Sequence, residues 1–226
     1  MKFTDSPVIE LAVGGAALSF EQDNGSIHVG TSVWPCSLVL VKFVDRWLPR
    51  LPSSTADSVP KPYAHLLHFA GKRAIELGSG CGPAGLGLAA LGLDVVLTDI
   101  APVLPALRRN LKRNRPALPK TPKVAQLYWN NVAQIESLKP PFDLVVAADV
   151  VYMEDSAAHL VTAMDALIAP DGVVLLGYQL RSPEAHQVFW ERCRQVFPVI
   201  EKVSHEDLHP DYAYEETDVY LLRKRK

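Results

Sequence analysis

The chain has few cysteines, and they are not clustered. Cys36, Cys81 and Cys193 lie far apart, and the sequence contains no Cys-x-x-Cys pair and no Cys/His cluster. This pattern argues against a disulfide framework and against a resident metal ion. A Gly-x-Ser-x-Gly motif is also missing, which disfavours a hydrolase built around that nucleophile turn.

The net charge is small, and the chain has no long hydrophobic run. Among 226 residues the formal net charge is −2, and 48% of the residues are hydrophobic. Nothing in this balance requires nucleic acid or an anionic membrane as a partner. The most apolar window, residues 83–97, contains Asp94 and several glycines and is too short to span a bilayer. We therefore expect a globular protein with neither a nucleic-acid nor a membrane partner.

The two ends of the chain bear on its location. Glu10, Glu21 and Asp23 interrupt any apolar N-terminal region, so we expect no signal peptide. The basic ending at residues 223–226 is either a nuclear address or a solvated tail. We expect a monomeric, cytoplasmic protein, with the nucleus as a second compartment that this ending would allow.

Apolar strand patterns alternate with amphipathic helix patterns from residue 71 to residue 226. This alternation predicts an α/β fold with a doubly wound, mostly parallel sheet. The predicted strands are 73–77, 94–99, 123–128, 143–148 and 173–180, with a closing pair at 199–203 and 219–223. The predicted helices are 83–91, 103–114, 156–168 and 182–197, with a turn at Asp171-Gly172.

Residues 1–70 read as an N-terminal extension that packs on the core formed by residues 71–226. Residues 8–22 predict a β-hairpin, because two strand patterns flank Gly14-Gly15. Residues 37–48 predict an amphipathic helix, and the proline-rich stretch 49–62 predicts a surface loop. A short helix over residues 63–69 would then lead into the first core strand.

The segment from Arg73 to Asp99 predicts a strand, a glycine-rich turn, a helix and a second strand. Gly78, Gly80 and Gly82 crowd the turn, and Asp99 ends the second strand. Glycines let a ligand approach the backbone, and an acidic residue at this strand end can accept hydrogen bonds from ribose hydroxyls. The segment therefore predicts a nucleotide-like ligand.

Two ligands fit these glycines. Gly80-x-Gly82-x-x-Gly85 satisfies the dinucleotide fingerprint, which would suit an NAD-dependent oxidoreductase. The run from Glu76 to Gly80, Glu-Leu-Gly-Ser-Gly, also fits the pattern of S-adenosylmethionine (AdoMet) methyltransferases. Glu76 suits a cationic cofactor better than a pyrophosphate, which prefers basic neighbours.

Further distinctive residues follow the next predicted strands. Trp129 follows the third strand, and Asp149 and Tyr152 follow the fourth. Ligands in such sheets bind beyond the carboxyl ends of the strands. Trp129 could lie against an adenine and Trp34 could cover the cofactor, although either residue could instead be part of the core.

Several motifs together resemble a known family. They are Glu76-Leu77-Gly78-Ser79-Gly80, Leu127-x-Trp129, Asp149-x-x-Tyr152 and Gly30-x-x-Val33-Trp34. In combination they are similar to methyltransferase family 16, the seven-strand protein-lysine methyltransferases of the methyltransferase-like 21 group. Three further stretches resemble the branch of that family that methylates valosin-containing protein, an AAA ATPase chaperone: residues 91–99, Gln179-x-Arg181 and residues 218–224.

The resemblance implies a Rossmann-like class I fold and methyl transfer from AdoMet to a lysine ε-amine. The protein substrate would be valosin-containing protein or another chaperone. The expected cofactor-binding residues are Trp34, Glu76, Gly78, Ser79, Gly80, Asp99, Trp129 and Ala148. Glu76 is among them because its negative charge suits a cationic cofactor, and the other seven follow from the resemblance. Asp149 and Tyr152 are the expected catalytic residues at the lysine channel. The chain departs from the branch at Pro35-Cys36, at 49–62 and at 182–192, which we expect to border the substrate entrance.

Other functions remain open on the sequence alone. They are the NAD-dependent oxidoreductase, a non-enzymatic binding module with the AdoMet fold, and a methyltransferase acting on small molecules or nucleic acids. The absence of an Asn/Asp-Pro-Pro-Tyr motif at residues 149–152 argues against methylation of exocyclic base amines.

Overall fold

The computed structural model describes residues 5–48 and 62–225, which form one seven-stranded sheet, a two-stranded hairpin and flanking helices. The strands are β1 (Val8–Val13), β2 (Ala16–Glu21), β3 (Arg73–Leu77), β4 (Asp94–Asp99), β5 (Lys123–Gln126), β6 (Phe142–Ala148), β7 (Ile168–Tyr178), β8 (Val199–Lys202) and β9 (Asp218–Arg223). The helices are α1 (Pro35–Trp47), α2 (Pro83–Ala90), α3 (Leu104–Asn114), α4 (Val132–Ser137), α5 (Glu154–Leu167) and α6 (Pro183–Val196).

The large sheet has the strand order β5-β4-β3-β6-β7-β9-β8. Strands β3 to β7 pair in parallel, whereas β9 lies antiparallel between β7 and β8. Parallel strands need both faces covered, and alternate residues of β3 show this arrangement. Ala74 belongs to the core on the side of α1 and α2, whereas Ile75 and Leu77 belong to the core on the side of α5 and α6. The predicted α/β class is confirmed.

Helix α1 contributes directly to the core, although it belongs to the predicted extension. Leu38, Val41 and Val44 are buried in the same cluster as residues of α2 and β6. The division of the chain at residue 70 stays a prediction, and the proline-rich stretch 49–61 before it lies outside the described residues.

Three local predictions differ from the structure, and the structure adds one helix that was not predicted. The stretch 63–69, predicted as a helix, is not one: residues 62–66 form a turn, after which the N–H of Leu67 donates to Tyr63 O over 3.0 Å. The predicted turn at Asp171-Gly172 lies inside β7, at a register shift against β6. Strand β5 stops at residue 126, because the N–H of Tyr128 donates to the Gln134 side chain instead of a neighbouring strand. Helix α4 was not predicted, although its N-cap Asn131 accepts a hydrogen bond from the Gln134 N–H.

Two asparagines of α3 attach the hairpin to the core. Asn114 Oδ1 accepts from the Ser19 N–H over 2.8 Å, and Asn114 Nδ2 donates to Ser19 O over 2.8 Å. Asn110 binds Glu21 in the same way, over 2.8 and 3.0 Å, and its Nδ2 also donates to Cys81 O in the glycine-rich turn. The two side chains therefore imitate a neighbouring strand along the edge of β2.

We expect Asn110→Ala to lower the free energy of unfolding by roughly 1–3 kcal/mol, because buried backbone groups of Glu21 and Cys81 lose their partner. For a chain of this size, each kcal/mol lost corresponds to a fall in Tm of about 2–4 °C. Gln187→Ala is the matched control, because that exposed amide donates only to the Glu191 side chain. Equal Tm values for the two variants in thermal unfolding would contradict this role of Asn110.

Candidate functional site

A cavity of about 760 Å³ opens at the carboxyl edge of β3, β4 and β6, partly covered by the loop between β2 and α1. All ten residues predicted as site residues line it. They are Trp34, Glu76, Gly78, Ser79, Gly80, Asp99, Trp129, Ala148, Asp149 and Tyr152. The structure therefore brings these ten residues together at one cavity, while the role of each one stays a prediction.

The glycine-rich turn after β3 requires glycine at two positions. Gly78 and Gly80 have φ values of 68° and 56°, a region that side chains other than glycine rarely adopt. A Cβ on Gly80 would lie 2.8 Å from Gly30 O, and one on Gly78 would lie 2.7 Å from Val150 Cγ1. Ser79 fixes the turn to β4, because its N–H donates to Thr98 O and its Oγ accepts from the Thr98 N–H. The turn leaves room for a ligand against its backbone.

Asp99 is buried at the end of β4, beside this turn. Its carboxylate accepts hydrogen bonds from the Gly80 N–H over 2.7 Å and from the Ile100 N–H over 2.8 Å. Burial raises the pKa of Asp99 to about 6, and these two N–H groups oppose the shift. Each oxygen keeps a free lone pair, so a diol could bind here.

Glu76 lies under the turn with one oxygen that lacks a partner. Oε1 accepts from the Gly85 N–H over 3.1 Å, whereas the buried Oε2 has no hydrogen-bond partner. Burial raises the pKa of Glu76 to about 8, and the Ser79 hydroxyl and the Gly85 N–H oppose the shift only in part. A buried carboxylate needs a positive partner. The residues present therefore fit a cationic cofactor such as AdoMet better than a pyrophosphate.

Gly85 packs α2 against this carboxylate. A Cβ at Gly85 would collide with Glu76 Oε2 and with Leu97 Cδ2. We expect Gly85→Ala to lower the free energy of unfolding by about 1–3 kcal/mol through overpacking, and to weaken AdoMet binding by displacing Glu76. Gly25→Ala is the control, since its Cβ would lie 3.6 Å from its nearest neighbour, Asp23 Oδ1. Calorimetric titration with AdoMet and thermal unfolding test both effects, and an unchanged Gly85→Ala variant would refute them.

Asp149 and Arg181 form an ion pair on the other side of the cavity. Arg181 Nε and Nη2 donate to the two oxygens of Asp149 over 2.8 and 2.5 Å. The side chains are 3% and 16% exposed, respectively. Arg181 Cζ also lies 4.9 Å from the centre of the Trp34 ring, a cation–π contact. A carboxylate held at two oxygens is fixed in position, so the pair places a defined negative charge in the cavity wall.

Two neighbours of Asp149 remain uncharged. Burial, with the negative charges of Asp99 and Asp149, raises the pKa of the Tyr152 phenol above its usual range. Burial, and then the charge of Asp149, raises the pKa of the Cys36 thiol well above its usual value. Cys36 is fully buried at the start of α1, between Trp34 and Ser37, which both line the cavity, and the expectation that Pro35-Cys36 borders the substrate entrance stays a prediction.

The sequence analysis did not assign Arg181 to the site. The predicted site residues follow the first four core strands, whereas Arg181 follows the fifth, β7. It also did not assign Asp155 and His159, which line the cavity from one face of α5. The same rule about strand ends, applied once more, would have found Arg181.

Three further observations concern metal ligands, membrane-spanning helices and the basic face of α3. Within residues 5–48 and 62–225, no three His, Cys, Asp or Glu side chains come together as metal ligands. No helix in that part of the chain is both long and apolar enough to cross a membrane. On the basic face of α3, Arg109 and Arg113 pair with Glu21 at 3.2 and 3.7 Å, so these charges are partly compensated.

A family model described as lysine methyltransferase matches residues 13–196. The chain belongs to this family. It is 30% identical over 203 residues to the protein N-lysine methyltransferase METTL21A of Danio rerio, covering 88% of this chain and 84% of that one. It is 29% identical over 179 residues to the EEF1A lysine methyltransferase 3 of Mus musculus, covering 79% and 68%.

Solved structures share the fold at low sequence identity. The 16S rRNA N2 G1207 methyltransferase RsmC of T. thermophilus, in complex with AdoMet and guanosine, superimposes with a TM-score of 0.62 at 21% identity. That match covers 96% of this chain but only 50% of RsmC. The glycopeptide N-methyltransferase MtfA with AdoMet superimposes with a TM-score of 0.57 at 15% identity, and the match covers 78% of this chain and 100% of MtfA.

The lysine methyltransferase is thus an AdoMet-dependent enzyme that acts on protein lysine. The predicted family, fold, cofactor and reaction are confirmed. The oxidoreductase and the non-enzymatic module are excluded as alternatives.

Proposed function

We propose that this enzyme methylates a lysine ε-amine of valosin-containing protein or of another chaperone. The support for this substrate is the sequence resemblance at residues 91–99, Gln179-x-Arg181 and residues 218–224. The observation that supports the catalytic assignment is the buried Asp149–Arg181 pair, which lies in the wall of the same cavity as the residues that we propose bind AdoMet.

In our proposal the residues around the glycine-rich turn bind the cofactor. Asp99 accepts hydrogen bonds from the ribose, Trp129 and Ala148 flank the base, and the Gly78–Gly80 backbone leaves room for the chain between them. Glu76 Oε2 provides the counter-charge for a cationic group, and Trp34 covers the cavity from the N-terminal side. Bound AdoMet supplies an electrophilic methyl group on a sulfonium.

Asp149 and Tyr152 orient the acceptor lysine. An ammonium has no lone pair, so a lysine with an ordinary pKa near about 10.4 must lose a proton before attack. An apolar channel lowers the pKa of the amine because it disfavours the ammonium form. The neutral Tyr152 ring provides an aromatic wall that tolerates the cationic head as it enters. Asp149 accepts a hydrogen bond from the amine and holds it in line. The rate enhancement comes mainly from this alignment and from partial desolvation.

The proton goes to solvent and not to Asp149. Both oxygens of Asp149 already accept from Arg181, which holds the carboxylate in place as a hydrogen-bond acceptor for the amine. The Tyr152 phenol and the Cys36 thiol stay neutral and are too weakly acidic to carry charge through the reaction. The open mouth of the cavity gives water access to the incoming amine.

Radiolabelled methyl transfer in a cell lysate, followed by mass spectrometry of the labelled protein, tests the substrate. Label on a lysine of valosin-containing protein is the expected result. Label on EEF1A, which is named as the substrate of one relative, would support lysine methylation but contradict the proposed substrate. The variant Asp149→Asn is the control for enzyme-dependent label, as argued in the Discussion.

We propose the cytoplasm as the location. Two of the four basic residues at the end of the chain take part in ion pairs, Arg223 with Glu201 at 3.5 Å and Lys224 with Asp165 at 2.8 Å. This pairing supports a structural role for the run over a nuclear address. Fluorescence microscopy of the tagged protein tests it.

A further inference from the structure

Large exposed apolar side chains are concentrated at one edge of the protein. Five of them line the cavity: Ile27, Val29, Tyr128, Tyr152 and Met153. Two more flank it along the chain, since Val132 is 66% exposed two residues beyond Asn130 and Leu180 is 57% exposed directly before Arg181. We call these seven side chains the apolar rim.

The apolar rim differs from ordinary surface composition. Single exposed apolar side chains are common, but a cluster marks an interaction site. In the part of the chain that the structure describes, no other large hydrophobic side chain is as exposed. The members come from the loop before α1 and from the segments after β5, β6 and β7, so they surround the cavity mouth on several sides.

The position of the rim identifies its occupant. An acceptor lysine has to enter through this mouth, so the protein that carries the lysine must contact the rim. The charged lining also suits the cationic head of a lysine: Asp155 is an acidic lining residue that the cofactor does not need, and the Arg181 charge is already paired with Asp149. A lysine with apolar neighbours matches this arrangement of charge and apolar surface.

The arrangement of the apolar rim around the cavity mouth also indicates a folded substrate. Disordered tails are poor in large apolar residues, so a lysine in such a tail would leave the rim exposed to water. The rim side chains lie on separate loops around an opening, and a folded surface can contact them all at once.

We propose that the enzyme selects a lysine that projects from an apolar patch on a folded protein, and that the apolar rim docks this patch. The proposal rests on the proposed function, protein-lysine methylation, and adds the class of surface that is recognised. It assigns a specificity role to Val132 and Leu180, which lie outside the cavity lining.

The double variant Val132→Asp/Leu180→Asp tests the proposal. We expect the initial rate of radiolabelled methyl transfer to protein in a native lysate to fall at least about tenfold, as for the loss of central interface side chains. Binding of S-adenosylhomocysteine, measured by calorimetry, should stay within about twofold of wild type. Aspartate in the first turn of α4 is compatible with the helix, so folding should be kept.

The matched control is Ala70→Asp/Thr121→Asp, which places two aspartates at exposed positions before β3 and β5, at the opposite edge of the sheet. It should label at the wild-type rate. If Val132→Asp/Leu180→Asp, the rim variant, labels protein as fast as this control, the docking proposal is overturned and the proposed function is not. A wild-type enzyme that binds S-adenosylhomocysteine but labels no protein overturns the proposed function instead.

Two other occupants of the rim would also overturn the proposal. One is a membrane. In that case wild type would sediment with phosphatidylcholine/phosphatidylserine vesicles and Val132→Asp/Leu180→Asp would not, while both would label protein at the same rate. The other is a second copy of this chain, recognised by a dimer in light scattering that the rim variant does not form.

Discussion

Asp149→Asn should reduce kcat/KM for methyl transfer at least about 100-fold, which is the usual effect of removing one preorganised polar group from an active site. Asparagine keeps one acceptor oxygen but removes the charge that, in our proposal, aligns the lysine amine. Asparagine is the right substitution because Asp149 has a φ of 61°, which Asn tolerates and Ala does not. Binding of S-adenosylhomocysteine should change by no more than a few fold. The measurement is radiolabelled transfer alongside calorimetric titration.

The same variant should also lower stability, because it leaves the Arg181 guanidinium without its counter-charge. We expect a loss of roughly 1–3 kcal/mol, less than for a fully buried ion pair because hydrogen bonding to asparagine remains. Asp149→Asn/Arg181→Gln removes both charges and should recover most of this stability without recovering activity. Recovery of activity in the double variant would show that Asp149 acts only by balancing Arg181.

Asp94→Asn is the control for this double-mutant comparison. Asp94 pairs with Lys120 at 2.6 Å on the surface, where the side chains are 48% and 68% exposed. Surface pairs of this kind contribute about 0–1 kcal/mol. The control variant should therefore have nearly wild-type activity and stability.

Glu76→Gln should weaken AdoMet binding by roughly 10- to 100-fold, because it removes the buried counter-charge that the cationic cofactor needs. The same substitution should stabilise the protein without cofactor at alkaline pH. Burial raises the pKa of Glu76 from its ordinary value of 4.5 to about 8, so the folded state binds this proton more tightly than the unfolded state does. Glutamine has no ionisable carboxyl group, so the stability of the variant does not depend on pH through this position.

The sign of the pH dependence follows from the raised pKa. Between pH 4.5 and about 8 the unfolded chain has lost a proton that the folded protein keeps, so the stability of wild type falls as pH rises and levels off above pH 8. The stability advantage of Glu76→Gln should be small near pH 5 and reach a few kcal/mol above pH 8. Thermal unfolding at these two pH values measures it.

AdoMet binding by wild type should strengthen as pH rises towards 8, with release of a proton. Calorimetry in buffers of different ionisation enthalpy detects this proton. Glu136→Gln, an exposed acid on α4, should change neither stability nor binding. Equal AdoMet affinity in Glu76→Gln and wild type would contradict the assignment of Glu76 as the counter-charge.

The sequence predicted the local units well where a short pattern determines them. The strand–turn–helix from Arg73 onward depends on glycines and an acid within a few positions, and the structure keeps nearly every predicted boundary there. Helix α4 has a readable signal as well, an Asn131 cap three residues before Gln134, but it is only six residues long.

The sequence could not predict pairings that span long stretches of chain. Arg181 meets Asp149 across 32 residues, and Asn114 meets Ser19 across 95. The strand-end rule could have placed Arg181 at this edge of the sheet, but neither pairing could be read from a local pattern, because both depend on where the sheet brings distant segments together. The burial of the Cys36 thiol near Asp149 is a further example, because it depends on the packing of α1 against β7.

The asparagines of α3 also affect how the hairpin behaves towards other molecules. A two-stranded sheet at a protein surface exposes N–H and C=O groups that can recruit a strand from another chain and start aggregation. Asn110 and Asn114 occupy these groups at Ser19 and Glu21 with side-chain amides. The helix thereby protects this edge of the hairpin from intermolecular strand pairing without adding a third strand.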